Sequence, residues 1–99
     1  MKIPKLINIA GHQIKVVHKK SLKSDGIPCC GLALLVEDRI ELAREAHGSK
    51  LSNDQRATAF LHEALHTISA LHSLGLSEKQ VTKLELALYQ FLHDNKLRF

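Results

Sequence analysis

Apolar and polar positions alternate with a period of two through the first half of the chain. The period becomes 3.6 in the second half, and the change falls at Ser52. Lys5 to Ile9 and Gln13 to Val17 are short alternating runs on either side of Ala10-Gly11-His12, which predicts a hairpin with a short Gly-containing loop. Lys19 to Pro28 is polar and closes on Asp25-Gly26-Ile27-Pro28, so it reads as a connecting loop. Gly31 to Val36 is a continuous apolar run, followed by Glu37-Asp38-Arg39 and then Ile40-Glu41-Leu42. This order predicts a second hairpin, or two strands joined by a charged turn, with Arg39–Ala43 as the second strand. Arg44 to Leu51 is ambiguous; residues 43–48 could form a helical turn that Gly48 would end.

Ser52 with Gln55 has the spacing of a capping box, and Asp54 suits the positive end of a helix. A helix is predicted from there to about His72–Leu74, with Gly75 as its stop. Ser77 with Gln80 repeats the signal, and a second helix should run to about Asp94-Asn95. The expected fold is α+β: a small N-terminal sheet of two hairpins, then two C-terminal helices, in one domain spanning residues 1–99.

Composition narrows the class. The chain is 44% hydrophobic and 24% charged, as in a globular domain, and its four Phe and Tyr residues leave the core to aliphatic side chains. No apolar run approaches the length of a membrane span, and lysines interrupt the N-terminal apolar residues, unlike a signal peptide. Adjacent Cys29 and Cys30 do not suit a disulfide framework, so a cytoplasmic location is expected. Residues 1–25 carry six lysines against Asp25 alone, so the basic excess sits in the N-terminal region. That region could meet nucleic acid, or simply protect strand edges with lysine.

The first helix contains His62-Glu63-Ala64-Leu65-His66. Residues i and i+4 share a helix face one turn apart, so two imidazoles can converge on one ion. Glu63 lies about 100° around the helix, where it can reach a water on the ion without ligating it. Ala57, Phe60, Leu61, Ala64, Ile68 and Leu71 form the apolar stripe, which leaves the two histidines on another face. Thr58, Ala59, Ser69 and Ala70 flank them, and residues 57–76 contain no Lys or Arg. Small side chains around two His and one Glu suggest the floor of a cleft rather than a solvated charged face. The expected cofactor is Zn2+.

A catalytic zinc site needs a third protein ligand. His72 stands about 9 Å along a straight helix from His66, too far to share the ion. Glu78 and Glu85 remain, on one border of the apolar stripe Val81, Leu84, Leu88, Phe91 and Leu92. A tight helical hairpin about Gly75 would bring Glu85 level with His66. An early end to the first helix, with residues 73–77 running back along it, would bring Glu78 there instead.

With LHEALH at 61–66, GLSEKQV at 75–81 and LYQFLHDN at 88–95, the chain resembles small metallopeptidases of phages and prophages, on the gluzincin side of the zincins. The resemblance implies a zincin-like fold, zinc-dependent peptide hydrolysis and Glu78 as the third ligand. It also implies an extended peptide laid along an edge strand by the active-site helix, and Arg39, Ile40, Glu41, Leu42 and Ala43 occupy the matching sequence position. Tyr89, on the border of the proposed ligands, is a candidate to steady an oxyanion. Cys29-Cys30 could place a thiolate on the ion, or serve as small packing residues. Two functions follow. One is a peptidase that hydrolyses peptide bonds with Glu63 as base. The other is a zinc-containing module that docks a protein or nucleic-acid partner through its lysine-rich N-terminal hairpin.

Overall fold

Three short hairpins of the chain turn on an X-Gly pair with both residues left-handed: Ala10-Gly11, Asp25-Gly26 and His47-Gly48. Positive φ at both central positions gives a two-residue turn whose twist matches that of the strands it joins. In the computed structural model, which describes residues 2–98, these turns link β1 (Leu6–Ile9) to β2 (His12–Lys19), β3 (Leu22–Ser24) to β4 (Ile27–Cys29), and β7 (Glu45–Ala46) to β8 (Ser49–Lys50). Two of these hairpins correct the sequence reading. The supposed loop at Lys19–Pro28 holds β3 and β4. The ambiguous stretch Arg44–Leu51 holds β7 and β8 and no helical turn.

β5 (Gly31–Leu34) and β6 (Arg39–Ala43) form the expected pair across the charged turn. They join β1 and β2 in one sheet of order β1-β2-β6-β5. The β2–β6 pairing is parallel, with Val16 opposite Ile40 and His18 opposite Leu42. Ile14, Val16, Ile40 and Leu42 therefore share one face and meet Phe60 and Ala59 of the helix packed on it. Arg39–Ala43 is thus a central strand, not the exposed edge expected for a peptide site. Ile40, Glu41, Leu42 and Ala43 are buried, and the Arg39 guanidinium is spent on Glu37 and Glu41 at 2.9 and 3.1 Å. The parallel partner came from residues 24 positions away, a pairing that local alternation does not reveal.

α1 (Asn53–Leu71) and α2 (Glu78–Asp94) both begin with complete capping boxes, at Ser52–Gln55 and Ser77–Gln80. α1 stops earlier than expected. Ser73 takes the left-handed conformation, Leu74 N–H donates to the Ser69 carbonyl at 2.9 Å, and Ser73 N–H to that of Ala70 at 3.4 Å. This is a Schellman ending with Ser in the position usually given to Gly, so Ser73 and not Gly75 ends the helix. Leu76 N–H then donates to Ser69 Oγ at 2.9 Å, tying the connection back along α1. Ser69 is largely buried by this role, yet with Ala70 it still lines a concavity beside His66, and Thr58 and Ala59 line another beside His62, so the small residues do floor a cleft.

α2 lies on α1 with a different stripe from the one expected. Val81 is buried and Leu92 partly so, whereas Leu84, Leu88 and Phe91 are exposed. Glu78, Glu85 and Tyr89 make polar contacts to α1, so the helix is rolled toward its polar border. Among the described residues no helix is long and apolar enough to cross a membrane.

Candidate metal centre

The early end of α1 starts α2 beside the histidines. Glu78 is the first residue of α2, and its carboxylate spans both rings. Oε1 lies 2.7 Å from His62 Nε2, and Oε2 lies 2.6 Å from His66 Nε2. The two Nε2 atoms are 3.1 Å apart. One atom from each of His62, His66 and Glu78 lies within 4.8 Å of the others, so the group could hold a metal ion. Ligand atoms placed tetrahedrally about 2.0–2.1 Å from zinc would stand about 3.3 Å apart, close to the separation of the two nitrogens. Two imidazoles and a carboxylate are a donor set that suits zinc chemically.

Glu85 takes a different place. Its carboxylate accepts from His62 Nδ1–H at 2.7 Å, on the side of the ring away from the cluster. That bond sets the ring tautomer and leaves Nε2 to face the cluster. The Glu85 side chain is 15% exposed and that of Glu78 is 70% exposed. The half-buried carboxylate orients the ring, and the exposed one lies on the solvent side of the group. Burial lowers the His62 pKa, but the Glu85 hydrogen bond and the charges of Glu63, Glu78 and Glu85 together hold it above the ordinary imidazole value.

Glu63 is 9% exposed and points between two concavities. One, of roughly 370 Å3, contains Cys29, Cys30, Gly31, Thr58 and His62 in its wall. The other, of roughly 630 Å3, is walled by Leu32, Ala33, Leu35, His66, Ala70 and Leu76. Glu63 borders both. Burial pushes its pKa up, the His62 and His66 charges oppose this, and Glu78 and Glu85 reinforce it. Outer strand β5 passes directly beside it. A Cβ on Gly31 would stand 3.0 Å from Glu63 Cγ and 3.3 Å from Oε2, so only glycine leaves the carboxylate its present position. Gly31 is therefore a site residue that motif reading missed. Its one sequence signal is its place at the start of the apolar run.

Tyr89 does not join this group. Its hydroxyl donates to Asp54 Oδ1 at 2.5 Å, in the first turn of α1, eight residues or about 12 Å of helix before His62. Because α2 runs back along α1, each turn beyond Glu85 moves toward the start of α1, and Tyr89 is carried past the histidines. His72, the C-cap of α1, is also outside the group. Cys29 and Cys30 are free thiols at the cleft wall, outside the potential ligand set. Burial, the Glu63 charge and Cys30 raise the Cys29 pKa, which favours the neutral thiol over a metal-binding thiolate. Comparison of the chain with known families, curated proteins and solved structures finds no match.

Proposed function

We propose that the protein is a zinc-dependent peptidase of the cytosol, a minimal gluzincin of the kind its motifs resemble. The observation that carries this reading is the convergence of His62 Nε2, His66 Nε2 and the Glu78 carboxylate beside a buried glutamate that ligates nothing. His62, His66 and Glu78 would hold the ion. When bound, zinc would supply Lewis acidity toward a water molecule and the peptide carbonyl. Glu63 accepts the proton of the attacking water as its oxygen bonds to the carbonyl carbon. It then delivers that proton to the amine nitrogen as the peptide C–N bond breaks.

An extended peptide would lie along β5, the outer strand beside Glu63, with backbone hydrogen bonds for affinity and the two concavities for side chains. Incubation of the zinc-loaded protein with a peptide library, with and without chelator and read by mass spectrometry, tests the reading. Chelator-sensitive cleavage is expected. No cleavage of any peptide would leave the zinc-containing docking module as the better account.

Gly31→Ala is expected to leave zinc content unchanged and to lower turnover by about tenfold, because displacement of a reacting group by tenths of an ångström already costs rate. Unchanged turnover would show that Glu63 tolerates the extra methyl group. Zinc affinity should also depend on pH. His62 binds protons more tightly than an ordinary imidazole, and a proton on Nε2 competes with the ion. Affinity is therefore expected to fall as the pH is lowered through the raised His62 pKa, approaching about tenfold per unit for each proton displaced once the pH is below it. Competition titration against a chromophoric chelator measures this, and a flat profile would contradict it.

A further inference from the structure

On another side of α1, a cavity of roughly 300 Å3 is lined by Ile3, His18, Arg44, Asn53 and Arg56. It gathers side chains from β2, from the residue after β6 and from the first turns of α1. Arg44 Nη1 donates to the His18 carbonyl at 3.2 Å, and Arg56 Nη2 donates to His18 Nδ1. A guanidinium can only donate, so Nδ1 is the acceptor and the neutral ring carries its proton on Nε2. Burial and the charges of Arg56 and Arg44 hold the His18 pKa below the ordinary value, in keeping with that neutral ring.

Two permanent cations thus share one concavity. Among the described residues, neither is ion-paired with a carboxylate. Asp54, the acid in the first turn of α1, accepts the Tyr89 hydroxyl instead. Arg56 Nε is buried with no hydrogen-bond partner. Two guanidinium groups crowd together at a cost unless an anion offsets it. Each uses one donor within the protein, which leaves the rest of the exposed Arg44 fork and the remaining Nη hydrogens of Arg56 free for an anion. Asn53, the first residue of α1, brings the positive end of the helix to the same place. Exposed Lys19 and Lys20 follow His18, and exposed Lys2 and Lys5 bracket the Ile3-Pro4 pair.

We propose that this cavity binds a phosphate group between Arg44 and Arg56. The site is separate from the metal centre: Arg56 precedes His62 by six residues, about 9 Å along α1 and about 120° around it. The phosphate could belong to a phosphorylated small molecule or to a nucleic-acid backbone, since the chemistry recognised is the same.

The test titrates the full chain with pyrophosphate and, separately, with a short single-stranded DNA, by calorimetry at low salt. Saturable binding of at least one probe is expected. Arg44→Gln and Arg56→Gln should each weaken it by about tenfold or more, the loss expected for a charge-assisted bidentate contact. Arg44 is exposed, so Arg44→Gln keeps the test open where Arg56→Gln disturbs the fold. Lys23→Gln removes the same charge from an exposed position outside the cavity and should change binding little. Pyrophosphate binding without DNA binding would identify a small-molecule phosphate as the ligand. Arginine-dependent DNA binding would identify the nucleic-acid backbone. No saturable binding of either probe, or equal loss in Lys23→Gln and Arg44→Gln, would overturn the proposal.

Discussion

Glu63→Gln is expected to abolish measurable peptide cleavage, a loss of at least the ~10²–10⁴-fold associated with general acid–base catalysis, while zinc stoichiometry and thermal stability stay near wild type. The expectation rests on position. Glu63 is one residue from His62, yet it is outside the ligand group and its carboxylate lies against Gly31 at the boundary of the two concavities. Glutamine keeps the shape and volume that fit against Gly31, but it cannot accept a proton at neutral pH. It also removes a buried charge rather than adding one, so stability should not suffer. Activity assays paired with elemental analysis separate this from metal loss. Chelator-sensitive cleavage that survives Glu63→Gln would refute the mechanism, and a fall in zinc content would instead place Glu63 among the ligands.

The second large effect is a graded loss of zinc affinity across the site. His62→Ala and Glu78→Ala each remove a proposed ligand and should weaken binding by more than the ~10–100-fold assigned to groups that merely orient a ligand. Glu85→Ala removes such an orienting group and should fall within that range. Its half-buried carboxylate accepts from His62 Nδ1, so its loss frees the ring to rotate or to change tautomer without removing a donor atom. Glu85→Gln, which retains an acceptor oxygen, should recover part of the loss. Equal or greater weakening by Glu85→Ala than by Glu78→Ala would exchange the two assignments. Loss confined to His62→Ala, with Glu78→Ala silent, would point to a third ligand outside the group described.

The exposed apolar side chains of α2 show why the packing of that helix was harder to read than its existence. Its caps are local, formed by Ser77 and Gln80 three residues apart, so pattern alone located its start. Its roll about its own axis depends on what lies beneath. Hydrophobic spacing favoured the 81-84-88-91 stripe, but the carboxylates of Glu78 and Glu85 are held by His62 and His66, and Tyr89 by Asp54. Those contacts turn Leu84, Leu88 and Phe91 outward.

The hairpins divide along similar lines. Asp25-Gly26 carries a strong turn signal, but the strands on either side are only three residues long, too short for an alternating pattern to show. His47-Gly48 lacked the usual Asn or Asp, and the helix-forming residues before it pointed elsewhere. Each forms a separate two-stranded ladder closed by its own left-handed X-Gly turn.

The sequence by itself determined the two main hairpins followed by two helices, the change from sheet to helix at Ser52, both capping boxes and the pairing of His62 with His66 on one face with Glu63 beside them. All of these follow from interactions within about four residues, which periodicity and caps encode directly. Only the tertiary structure decided which acid meets the histidines, that β6 is central and β5 lies beside Glu63, and that Tyr89 turns to Asp54. Each depends on how distant segments are brought together. The deciding events were the parallel pairing of β2 with β6 and the end of α1 at Ser73, where the bonds from Leu74 and Leu76 to Ser69 fold the connection back and deliver Glu78 to the site.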